Sequence, residues 1–115
     1  MEFGRIAASI GVTDLERALA FYVGVLGMVK TFENGTRFAI VERGPAELHL
    51  TRVERHVAGE HNVAHLMVSD ARALHDQLVA GGTRIVKAIR DADYGMRGFV
   101  FADPDGNLID VGQTL

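Results

Sequence analysis

Val12-Thr13-Asp14-Leu15-Glu16-Arg17-Ala18-Leu19 decides the reading of this chain, because its pattern returns in the second half as Val68-Ser69-Asp70-Ala71-Arg72-Ala73-Leu74. The Val-(Thr/Ser)-Asp triplets lie 56 residues apart, and the Arg-Ala-Leu triplets lie 55 apart. Gly27 maps onto Gly82 at the same spacing of 55. Farther along, residues 38–50 map onto residues 99–111 without a gap and with a shift of 61. One supersecondary unit used twice accounts for such spacings. The repeat sets His49 in register with Asp110, so these two side chains are expected to face each other across a common cavity.

The local pattern names the unit. Residues 5–12 alternate, with Ile6, Ala8, Ile10 and Val12 on one face and Ala7, Ser9 and Gly11 on the other, as in a half-buried strand. Thr13-x-x-Glu16 reads as a capping box that starts a helix running to Leu26, with Gly27 as its stop. Strands 28–33 and 37–42 meet at Asn34-Gly35, a strong hairpin signal, and Gly44-Pro45 turns the chain into strand 46–52. Residues 1–53 thus form a βαβββ module, and the polar stretch 54–61 reads as a linker. Residues 62–115 form a second module: strand 63–68, helix 70–80, strand 83–89, a loop, strand 96–102, the Asp103-Pro104-Asp105-Gly106 turn and strand 107–112. The predicted fold is α+β, with the two modules forming a cupped mixed sheet and the helices on its outer face. Period-two alternation turns Ser9, Glu47, His49, Thr51, Val63, His65, Met67, Leu108, Asp110 and Gly112 into the cup.

Composition narrows the function classes. Twelve Lys and Arg against fifteen Asp and Glu give a net charge of −3, which argues against nucleic acid. The absence of cysteine excludes disulfides, thiolate chemistry and Cys-based zinc sites. The longest apolar run, residues 21–29, is about half a membrane span, and no signal peptide is legible at the start, so a cytoplasmic location is expected.

Two stretches, Val12-Thr13-Asp14-Leu15-Glu16-Arg17-Ala18-Leu19-Ala20-Phe21-Tyr22…Leu26-Gly27-Met28 and Phe101-Ala102-Asp103-Pro104-Asp105-Gly106-Asn107-Leu108-Ile109-Asp110, resemble the vicinal oxygen chelate superfamily. It includes glyoxalase I, extradiol dioxygenases, methylmalonyl-CoA epimerase, fosfomycin-modifying enzymes and the bleomycin-resistance binding proteins. Its enzymes place metal ligands on the first, fourth, fifth and eighth strands. The resemblance puts those positions at Ala7, His49, Val63 and Asp110, so two of the four hold aliphatic side chains. Catalytic metals generally keep three protein ligands. His65, one pleat from Val63, and Glu47 are the candidates for a displaced ligand.

The resemblance therefore implies first a metal-independent binding protein of the bleomycin-resistance type. Its expected ligand is a hydrophobic or planar small molecule, bound in a cleft by a homodimer. Ser9, His49, His65, Tyr94, Met96, Arg97 and Asp110 are its candidate lining residues. Tyr94-Gly95-Met96-Arg97 is similar to an aromatic-Gly-x-Arg segment that borders the groove in antibiotic-binding members, and Asp91 and Asp93 beside it could serve a cationic ligand. Two alternatives stand. One is a lyase, isomerase or transferase using a divalent ion (zinc, nickel, manganese, iron or cobalt) on His49, His65 and Asp110. The other is a non-catalytic accessory dimer. His56, His61 and His75 are expected to be solvated and without a role.

Overall fold

The computed structural model describes residues 1–92 and 94–115. Its first half runs β1 (Ala8–Val12), α1 (Leu15–Leu19), a π-helical continuation (Ala20–Val25), β2 (Val29–Asn34), β3 (Phe38–Arg43) and β4 (Ala46–Arg52). The second half runs β5 (Asn62–Met67), α2 (Ala71–Ala80), β6 (Arg84–Ala92), β7 (Met96–Ala102) and β8 (Leu108–Thr114). Each half makes a four-stranded mixed sheet, in the orders β1-β4-β3-β2 and β5-β8-β7-β6. β1 runs parallel to β4 and β5 parallel to β8, and the other neighbours are antiparallel. This is the predicted α+β architecture of two βαβββ modules.

The halves share one core. Ile10, Val12, Val41 and Leu50 from the first sheet join Phe99, Phe101, Ile109 and Val111 from the second, with Leu15, Phe21, Tyr22, Leu74 and Leu78 from the helices. Phe21 stacks obliquely on Phe101 at 5.9 Å, and Gln77 Nε2 donates to the Val25 carbonyl at 2.8 Å. Leu26 N–H reaches back five residues to the Phe21 carbonyl, so the first helix ends in a wide turn rather than in α-helix up to Leu26.

A polar clamp closes the core at the β7–β8 turn. Asp103 is 5% exposed and accepts from Tyr22 Oη at 2.8 Å, from the backbone N–H groups of Asp105 and Asn107, and from Asn107 Nδ2. Asn107 Nδ2 also donates to the Gly11 carbonyl, tying this turn to β1. Burial, reinforced by the charge of Asp103, pushes the Tyr22 phenol far above its ordinary range. His56, expected to be solvated, instead lies 2.8 Å from Asn107 Oδ1 and sits over Gly11.

The capping box is also revised. The cap of α1 is Asp14, whose carboxylate accepts from Arg17 N–H, while the Thr13 hydroxyl donates to Asp105 at 2.6 Å. Asp70 caps α2 in the same way, accepting from Ala73 N–H.

Candidate functional site: the open faces of the two sheets

Each sheet gives one face to the core and leaves the other open. In the first sheet Ala39, Val41 and Leu50 are buried, so alternation puts Phe38, Ile40, His49 and Thr51 on the open side. His49 pairs across the ladders with Ser9 on β1 and Ile40 on β3. An aromatic row runs over this face: Phe32 to Phe38 at 6.0 Å, then Phe38 to His49 edge-on at 5.4 Å. Phe32 is 51% exposed. His49 Nε2 donates to Glu47 Oε2 at 2.7 Å, and Arg5 reaches Glu47 at 2.7 Å and Glu42 at 3.4 Å. The hydrogen bond from His49, with the charge of Arg5, holds the Glu47 carboxyl below its usual range.

The second sheet has a different open face. A hollow of about 260 Å³ there is lined by Asn62, His65, Met67, Lys87, Arg90, Tyr94, Met96, Arg97 and Asp110 around Gly98 and Gly112. His65 Nδ1 lies 2.8 Å from Asp110 Oδ2, and the two are paired residues of β5 and β8. Gly98 and Gly112 are paired on β7 and β8. A Cβ on Gly98 would come within 2.6 Å of the Val111 carbonyl, and one on Gly112 within 2.9 Å of the Met96 methyl and 3.2 Å of the Met67 sulfur. The two glycines therefore make a low floor, with the tips of Met67 and Met96 resting over Gly112.

The expected facing of His49 and Asp110 is not found within one chain. They lie on different sheets, and each is engaged locally, His49 by Glu47 and Asp110 by His65. Ser9 stands beside His49 on the first sheet, away from the hollow that holds His65, Tyr94, Met96, Arg97 and Asp110. Arg97 borders the hollow but is committed to Asp91, its ladder partner, through bonds of 2.7 and 3.2 Å. This ion pair lowers the Asp91 carboxyl and raises the Arg97 guanidinium from their ordinary ranges. Tyr94 is 79% exposed at the tip of the β6–β7 hairpin. Asp93 lies outside the described residues.

Three lining residues escape the sequence reading. Val63 forms a bulge, so Asn62 rather than Val63 stands opposite Leu108, and Val63 packs on the core instead of entering the cup. Lys87 and Arg90 sit opposite Val100 and Gly98 because β6 carries two irregularities and extends to Ala92. No alternation of apolar residues marks either place.

The donor set bears directly on metal binding. Among the described residues no three His, Cys, Asp or Glu side chains converge on one point. The two carboxylate–imidazole pairs stand on separate sheets, and Ala7 can contribute no ligand. Within one chain these residues do not fit a divalent ion held by three protein groups.

Comparison with known proteins follows the fold. A structure of the bleomycin-binding protein from bleomycin-producing Streptomyces verticillus, complexed with copper(II)-bleomycin, superposes with TM-score 0.76 at 25% identity, covering 96% of each chain. A superfamily member from Sphaerobacter thermophilus matches with TM-score 0.76 at 26% identity over 95% of this chain and 97% of that one. Lactoylglutathione lyase from Agrobacterium tumefaciens has the same fold at TM-score 0.78 and 18% identity, over 96% and 92% of the two chains. No curated protein sequence matches at a significant level. The model of the Glyoxalase/Bleomycin resistance protein/Dioxygenase superfamily matches residues 3–111, and the chain belongs to that superfamily.

Proposed function

We propose that this protein binds a hydrophobic, planar small molecule on the open face of its second sheet and does so without a metal ion. The observation that carries this reading is the glycine floor. Paired Gly98 and Gly112 carry no side chain, and the flexible thioethers of Met67 and Met96 reach over Gly112, offering polarisable sulfur that packs well on aromatic rings. The copper(II)-bleomycin complex of a relative with the same fold supports ligand binding as the role.

We further propose a homodimer in which the first sheet of one protomer covers the second sheet of its partner. Each chain carries an open aromatic row, Phe32–Phe38–His49, and an open hollow, and a twofold pairing would cover both at once. In that arrangement the aromatic row forms the roof over the floor. Light scattering should give twice the chain mass, and Phe32→Glu should return it to one.

The neutral dye N-phenyl-1-naphthylamine tests the binding reading. Its fluorescence should rise and saturate at one dye per chain, with an unchanged affinity after exhaustive chelation. Loss of binding on chelation, with recovery on adding a divalent ion, would overturn the metal-independent reading and favour an enzyme of the lyase or isomerase type.

A further inference from the structure

The cations around the hollow give the ligand a charge. Lys87 and Arg90 both line it, opposite Val100 and Gly98, two positions apart along β7. That spacing is about 7 Å on a strand, short enough for both side chains to reach one anionic group. Two carboxylates near the hollow have partners of their own. Arg97 holds Asp91, and Asp110 holds His65. Among the described residues, neither Lys87 nor Arg90 has an ion-pair partner. On the first sheet's open face Arg5 already bridges Glu42 and Glu47, and Glu47 also pairs with His49. The net charge of −3 would suggest a cationic ligand, but the charge is distributed otherwise, and this hollow has a cationic rim.

We propose that the ligand is a planar organic anion, its rings against Met67 and Met96 over the Gly98–Gly112 floor and its carboxylate, sulfonate or phosphate on Lys87 and Arg90. This rests on the binding reading above and adds the sign of the ligand and the residues that read it. Arg offers a planar fork to such a group and Lys a mobile point charge, so the pair accepts more than one anion geometry.

A matched pair of dyes isolates the charge. 1-Anilinonaphthalene-8-sulfonate has the ring system of N-phenyl-1-naphthylamine plus one sulfonate. The sulfonate dye should bind at least tenfold tighter than the neutral one at low salt, with the advantage shrinking as salt is added. Lys87→Gln with Arg90→Gln should weaken the sulfonate dye at least tenfold and change the neutral dye less than twofold. Both side chains are exposed, so the variant should fold, as circular dichroism would verify. Arg55→Gln, in the exposed segment after β4, should change neither dye. Equal affinity for the two dyes, or a sulfonate affinity unmoved in the double variant, would overturn the anion assignment and leave the binding reading standing. Failure of both dyes to saturate would overturn both.

Discussion

Ile40 stands opposite His49 in the first half, and Val100 stands opposite Asp110 in the second. His49 and Asp110 are 61 residues apart, but Ile40 and Val100 are only 60 apart, because the chain from Val100 to Asp110 is one residue longer than the chain from Ile40 to His49. That single residue reassigns every side chain of the strand before it. Phe38 corresponds to Gly98, not to Phe99, and the counterpart of Phe99 is buried Ala39. One half therefore keeps an aromatic ring on its open face and a methyl group in the core. The other half has glycines under two methionines outside and two phenyl rings inside. Two copies of one fold unit thus present different open faces, an aromatic row on one and a glycine-floored hollow on the other.

The sharpest way to break this comparison is to delete the two phenylalanines that the gap-free repeat equates. Phe99 is 2% exposed in the shared core, and Phe99→Ala should cost about 3–5 kcal/mol in denaturant unfolding. Phe38→Ala, on the open face, should cost well under half of that. Equal costs would contradict the assignment of opposite faces. The β7–β8 turn gives the next effect. Asp103→Ala removes the acceptor for Tyr22, Asp105 and Asn107 and should destabilise by about 2–4 kcal/mol, whereas Pro45→Ala in the shorter turn should stay below about 1 kcal/mol.

Tyr22→Phe should cost about 1.5–3 kcal/mol, since it deletes a hydrogen bond to a buried carboxylate. Its pH dependence sharpens the point. The folded state holds the phenol above its ordinary range, so the stabilisation is complete below about pH 10 and is lost as pH rises beyond it. Thermal melts should show a shallower alkaline decline for Tyr22→Phe than for the parent. The smallest effect lies on the open face of the first sheet. Glu47 is lowered by His49 and Arg5, so its contribution is present at neutral pH and is lost as pH falls through the acidic range. Glu47→Gln should flatten the acid side of the melting-temperature profile slightly, and an unchanged acid side would remove the His49–Glu47 pair from the account.

Much of the fold was legible because local chemistry and the long-range pattern agree. The helix-start triplets, the Asn34-Gly35 hairpin and strands 46–52 and 96–102 stand where the sequence places them. What was hidden depends on partners distant in sequence. Thr13 and Asp14 are both good caps, and the choice between them is made by Asp105, which takes the Thr13 hydroxyl. The register of β7 was hidden because the one residue added between paired positions of β7 and β8 leaves no visible gap in the sequence repeat. In the candidate site, His65, Met67 and Asp110 could be read from alternation, and Met96 from the resemblance of its segment. Asn62, Lys87 and Arg90 could not, since strand irregularities place them in the hollow and no sequence period marks an irregularity.

The central claim is that the floor of the second sheet, and no metal, holds the ligand. Two-dimensional amide NMR of the labelled protein, titrated with N-phenyl-1-naphthylamine in the presence of a chelator, tests it directly. The account predicts that the largest shifts fall on Gly98 and Gly112 and on the flanking Met67 and Met96, and that they are the same with and without chelator. Shifts that spare both glycines, or that vanish when metal is removed, would contradict it.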